Sequence, residues 1–161
     1  PDELGDNLPF VDLGKGRTAE ALSAGEAHVC ALLDNGAVKC WGKGFYGATG
    51  LEKWDSIGQI PDQMGDNLPA VDLGTSTATV RARKLRGRTG GAGSDARTLQ
   101  ATAASVTVEL LAVGGERSCA ILDSGSVKCW GRAYAGALGL GDVVDRGGRS
   151  GSMGDALPTL S

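Results

Sequence analysis

Four cysteines, one histidine and a recurring Gly-Asp pair are the residues of this 161-residue chain whose types and spacing could do chemistry. Cys30 and Cys40 enclose nine residues and are followed by Trp41-Gly42; Cys119 and Cys129 repeat the arrangement before Trp130-Gly131. Such cysteines could hold zinc, form two bridges or remain reduced thiols in a core. Zinc knuckles favour pairs separated by about two to four residues, whereas the wider spacing suits a bridge across a hairpin. His28 is the only histidine, and Arg117 holds the matching place in the second copy, so the position does not require imidazole chemistry. Asp6, Asp66 and Asp155 each follow glycine. Without the dense Asp/Asn spacing of a calcium loop, they are expected to be turn residues that bond their own backbone ahead of a Leu-Pro strand entry. "GKGRT" at 14–18 lacks phosphate-loop spacing, and no Ser-His-Asp or Cys-His set recurs in order. No catalytic, cofactor-binding or metal residue is therefore expected, and no enzyme within these residues.

The elements that would position the cysteines follow from internal repetition. "GDNLPFVDLG" at 5–14 returns as "GDNLPAVDLG" at 65–74 and as the truncated "GDALPTLS" at 154–161. The first pair lies 60 residues apart and the second 89, the same offset that separates Cys30 from Cys119. The extra 29 residues fall between 74 and 110. The chain accordingly divides into a first unit with the start of the next (1–74), an insertion (75–109), and a second cysteine unit ending in a truncated third Gly-Asp segment (110–161).

Turn chemistry gives each unit a hairpin. Asp34-Asn35-Gly36 and Asp123-Ser124-Gly125 separate apolar runs and tolerate tight or left-handed turns. A three-residue loop sets Leu32 opposite Val38 and Cys30 opposite Cys40 in a non-hydrogen-bonded pair, close enough for a bridge; the same count pairs Cys119 with Cys129. In that register Cys30, Leu32, Val38 and Cys40 share one face, and Ala31, Leu33, Ala37 and Trp41 share the other with Lys39 as its charged member. Both faces are mostly apolar, so the hairpin needs neighbours on both sides, as in a propeller blade or solenoid layer. Abundant glycine, 27 residues, and scarce aromatics, 4%, agree with turn-rich β structure.

The run "AGEAHVCALLDNGAVKCWGKGFYGATG" and its copy "VGGERSCAILDSGSVKCWGRAYAGALGLGD" resemble the repeat of the regulator of chromosome condensation family. That resemblance implies an all-β fold: a partial β-propeller of about two to three antiparallel blades, interrupted by an irregular basic insertion. It makes Trp41 and Trp130 packing residues. Gly44 and Ala133 stand where the family commonly has Asn, and Ala48 and Ala137 where it has Gln.

The insertion concentrates Arg81, Arg83, Lys84, Arg86 and Arg88 within eight residues. Residues 75–109 hold six basic and two acidic side chains, a net +4, against ten basic and 17 acidic, a net −7, elsewhere. Such an arm would contact phosphate or an acidic partner; the bland alternative is a loop rich in Gly, Ala, Ser and Thr. The whole chain, at net −3, has no general attraction for nucleic acid, and no apolar run reaches the roughly 18 residues of a membrane span. The expected function is a non-catalytic protein-interaction scaffold, a fragment of a larger propeller, with an unidentified protein partner and no cofactor. The resemblance also implies two alternatives, a guanine-nucleotide exchange factor for a small GTPase and the regulatory repeats of a HECT-type ubiquitin ligase. Bridged cysteines would place the protein outside the cell or in the secretory lumen; reduced ones, in the cytoplasm or nucleus.

Overall fold

The computed structural model describes residues 5–76 and 104–160. The Asp34-Asn35-Gly36 loop is a three-residue hairpin turn: Leu33 N–H donates to Ala37 O at 2.9 Å, and Gly36, at φ 76°, closes the loop onto Leu33 O. Only a residue without Cβ adopts that backbone at no cost, and a Cβ on Gly36 would also collide with Thr107. The turn joins β2 (His28–Leu33) to β3 (Val38–Gly42) and fixes their register, with Leu32 opposite Val38 and Cys30 opposite Cys40. Strand β1 (Ala19–Ala24) completes an antiparallel sheet in the order β1-β2-β3. It starts with a bulge at Glu20.

The second unit repeats this construction with β6 (Val108–Gly114), β7 (Arg117–Leu122) and β8 (Val127–Gly131), including the bulge, now at Glu109, and the pairing of Cys119 with Cys129. Between the two sheets lies a short antiparallel pair, β4 (Thr75–Ser76) with β5 (Ala104–Ser105). The excursion that includes Arg81, Arg83, Lys84, Arg86 and Arg88 therefore leaves and re-enters through adjacent strands, while those five residues themselves lie outside the described residues. Among the described residues there is no α-helix, only single 3-10 turns.

Each three-stranded sheet gains a fourth, extended segment from the Gly-Asp-x-Leu-Pro motif. Val71 N–H donates to Val38 O at 2.8 Å, and Leu160 N–H donates to Val127 O at 2.8 Å. These are blades of the β-propeller kind. The motif then crosses towards the next blade. Lys128 Nζ donates to Leu73 O at 2.9 Å and Gly154 O at 2.7 Å, as Lys39 Nζ does to Leu13 O and Gly65 O in the first blade. The two lysines that the hairpin register places on a buried face are satisfied by backbone carbonyls, which offsets part of the cost of removing an ammonium from water. Burial nevertheless pulls Lys128 below its ordinary value, with Asp155 and Asp72 opposing the shift.

The two blades share one core. The first blade's Cys30, Leu32, Val38 and Cys40 pack with Val108, Ala120, Leu122 and Trp130 of the second. The first blade's disulfide face is thus covered by the second blade's tryptophan face. Trp130 is 0% exposed and lies over Gly50, whose φ of 68° and missing Cβ make room for the indole. Its Nε1 donates to Ala48 O at 3.2 Å.

Candidate protein-interaction face

The cysteines are held where the hairpin register puts them. Cys30 and Cys40 are joined with Sγ–Sγ 2.07 Å and Cα–Cα 4.1 Å, and Cys119 and Cys129 with 2.11 and 4.1 Å. Both bridges cross the ladder between the two long strands of a hairpin. Their role is to brace a blade, and neither presents a reactive thiol.

His28 lies at the seam between the blades. It is buried, with Nε2 3.0 Å from Ser118 Oγ. Ser118 has one hydroxyl proton, and its other neighbours, Ala48 O at 3.2 Å and the bridged Cys30 Sγ at 3.7 Å, can only accept. With the Ser118 proton given to Ala48 O, His28 Nε2 is the donor to Ser118. Burial lowers the His28 pKa, with nearby Glu116 pulling weakly the other way. This histidine joins two blades through Ser118, whose hydroxyl is buried at the seam and bonded to Ala48 O. Among the described residues, no three His, Cys, Asp or Glu side chains converge as a metal cluster.

The aspartates behave differently from the local turn expected for them. Asp66 Oδ1 accepts from Lys15 N–H at 2.9 Å, and Asp155 Oδ1 accepts from Thr75 N–H at 2.8 Å while its Oδ2 takes the Thr75 hydroxyl at 3.0 Å. These bonds span 51 and 80 residues and tie successive motif crossings together. The Thr75 bonds hold Asp155 below the usual carboxylate value. The local turn bond belongs instead to the later aspartate of each motif: Asp12 accepts from Gly14 N–H and Asp72 from Gly74 N–H, both at 2.8 Å.

The surface feature with binding chemistry lies at the end of the blades opposite the hairpin turns. There each chain leaves its tryptophan strand through a basic residue, Lys43 or Arg132, into a tight turn, Phe45–Gly47 or Tyr134–Gly136. The central residue of each turn is left-handed, Tyr46 at φ 59° and Ala135 at φ 54°. Because both copies adopt it, this backbone belongs to the repeat and not to one blade's function. Its effect is to turn Phe45 and Tyr134 outward, 50% and 73% exposed. The Lys43 ammonium sits 5.0 Å from the centre of the Phe45 ring, and the Arg132 guanidinium 4.5 and 5.5 Å from the Tyr46 and Tyr134 rings. Tyr46 also meets Trp54 edge-on, with ring centres 6.1 Å apart. Glu116 anchors both cations, accepting from Arg132 of its own blade at 2.8 Å and, across the seam, from Lys43 at 3.5 Å. That pairing raises the Arg132 pKa further and orders the cluster.

Four of the chain's seven aromatic residues meet in this cluster. Sequence reasoning passed over it, because its members are spread from 43 to 134. A signal existed: offsetting the copies by 89 residues superposes Lys43 on Arg132 and Phe45 on Tyr134.

A family model described as the regulator of chromosome condensation (RCC1) repeat matches residues 20–48 and 108–136, the three strands and aromatic turn of each blade. No curated protein sequence matches the chain. Among solved structures, human WBSCR16 is similar with a TM-score of 0.50 and 20% identity over 81% of this chain and 24% of that one. Yeast RCC1 (Prp20), solved bound to Kap60, gives a TM-score of 0.50 and 19% identity over 86% of this chain and 25% of that one. Prp20p from Saccharomyces cerevisiae, characterised for its binding to Gsp1p and histones, gives 0.50 and 18% over 84% and 25%. The chain spans about a quarter of the length of these structures.

Proposed function

We propose that this chain, which matches the regulator of chromosome condensation repeat at 20–48 and 108–136, is a non-catalytic protein-interaction scaffold whose aromatic end docks a protein partner. The observation that supports this most is the gathering of Phe45, Tyr46, Trp54 and Tyr134 with Lys43 and Arg132 on one end of two rigid blades. Tryptophan, tyrosine and arginine are the residue types that dominate binding energy at protein interfaces, and order imposed by Glu116 lowers the entropy lost on docking. The bridges between Cys30 and Cys40 and between Cys119 and Cys129 support an oxidising compartment, outside the cell or in the secretory lumen. Guanine-nucleotide exchange has weaker support: the yeast protein that binds Gsp1p shares the fold at 18% identity, and this chain spans 25% of it. The basic arm of Arg81, Arg83, Lys84, Arg86 and Arg88 is a second contact, for phosphate or an acidic surface.

Site-specific photocrosslinking tests the docking surface. A crosslinker at position 134 should capture a partner, and one at position 124, on the hairpin turn at the other end, should not. Replacing residues 77–103 with Asn-Gly, a two-residue turn between the paired Ser76 and Ala104, should leave the capture at 134 intact. Loss of capture in that variant would assign docking to the arm instead.

A further inference from the structure

The aromatic cluster straddles the seam between the two described blades. Phe45 stays 50% exposed with a following blade in place, and Tyr134 is its repeat-mate. Trp54, 42% exposed, rests on Gly148 of the second blade, where a Cβ would come within 3.1 Å of the indole. The cluster is a run of neighbouring flat groups. Trp54 meets Tyr46 with ring centres 6.1 Å apart, and the Arg132 guanidinium lies 4.5 Å from Tyr46 and 5.5 Å from Tyr134. These two distances hold the tyrosine rings within about 10 Å of each other, the reach of one turn of polyproline II at three residues and about 3.1 Å each.

The charges of the cluster are matched from within. Glu116 takes both Arg132 and Lys43, and Asp145 also lies near enough to Arg132 to favour its charge. A carboxylate from a partner would have to compete with these two. What the cluster offers an incoming chain is ring surface together with donors: the Trp54 indole N–H, the tyrosine hydroxyls and the guanidinium N–H groups that Glu116 leaves over. Its complement is an uncharged segment with apolar rings and with carbonyls that have no partner of their own. Polyproline II has no internal hydrogen bonds and is ordered before it binds, and aromatic-lined grooves are the surfaces that take it.

We propose, resting on the docking role given to this end above, that the partner presents a proline-rich segment in the polyproline II conformation. Its proline rings pack against Tyr46, Trp54 and Tyr134, and its carbonyls accept from Trp54 and Arg132. Arg132 is held by Glu116 and Trp54 lies on Gly148, so neither side of the contact has much order left to gain.

NMR titration of the 15N-labelled chain with acetylated decaproline tests this, with decaglutamate and a Gly-Ser decapeptide as comparisons. Decaproline should shift the Trp54 indole N–H and the amides of 45–47 and 132–135, saturating with a Kd of about 1 mM or tighter, while the other two peptides leave them in place. Tyr134→Ala and Trp54→Ala, both at exposed positions and checked for folding by circular dichroism, should each weaken the decaproline titration about tenfold. Absence of a saturable shift with decaproline would overturn the proposal. So would a stronger response to decaglutamate, or decaproline shifts that persist unchanged in a folded variant. Capture by the crosslinker at position 134 that continues alongside any of those results would leave the docking role standing and assign the partner another chemistry.

Discussion

Trp130 donates its indole N–H to the carbonyl of Ala48 across the boundary between the blades, at 3.2 Å and in full burial. Its repeat-mate Trp41 makes no such contact among the described residues and is only partly buried. The same residue in the same hairpin thus has two energetic roles. Trp130→Phe, which removes the donor and leaves the carbonyl with Ser118 alone, should cost about 1–2 kcal/mol in denaturant unfolding. Trp41→Phe should fall within about 0.5 kcal/mol of wild type. Equal losses would mean that the seam is not formed in solution.

Thr49 is 0% exposed and its hydroxyl has no hydrogen-bond partner among the described residues, whereas Leu138 fills the same place in the second blade. Thr49→Val keeps the branched shape and removes the buried hydroxyl. It should raise stability by about 1 kcal/mol, read as a higher denaturation midpoint at unchanged slope. A loss of that size would show that the hydroxyl is bonded.

The bridge between Cys30 and Cys40 joins residues ten apart in sequence. Closing so short a loop should contribute about 2–3 kcal/mol. Cys30→Ser and Cys40→Ser should each lose that amount, and the double variant no more than either single one. Additive losses in a double-mutant cycle would contradict a bond between them.

His28 gives the fold an acid sensitivity in a definite window. Its folded-state pKa lies below the ordinary 6.5 because of burial. Above about pH 6.5 it is neutral in both states and contributes nothing to pH dependence. As the pH falls through 6.5 the unfolded chain takes up a proton that the folded chain refuses, so stability drops until the folded-state value is reached. Asp142 and Asp155, held below 3.8, titrate beneath this window. The melting temperature should therefore be lower at pH 5.5 than at pH 7.5, and His28→Gln, which keeps a donor for Ser118, should narrow the gap. An unchanged gap in that variant would place the sensitivity elsewhere.

The parts of this architecture legible in the sequence are those set by local chemistry. Asp34-Asn35-Gly36 determines a loop length, the loop determines a register, and the register puts the two cysteines on one face and the lysine on the other. The seam was not legible, because both faces of the hairpin are apolar and nothing local says which one meets the next blade. Asp66 and Asp155 show the same limit. Their neighbours in sequence suggest a turn bond, while their partners, Lys15 and Thr75, come from a different crossing of the chain. The aromatic cluster was hidden for a related reason: Glu116, Arg132 and Tyr46 meet only when two blades stack.

The docking claim is tested most directly by measuring the affinity of the partner captured at position 134 for wild type, Tyr134→Ala, Arg132→Ala and Ser124→Arg. The account predicts that Tyr134→Ala and Arg132→Ala each weaken binding by at least about 2 kcal/mol, roughly 30-fold, as interface hot spots do, and that Ser124→Arg binds as wild type. Unchanged binding by both aromatic-end variants, or a loss confined to Ser124→Arg, would contradict it.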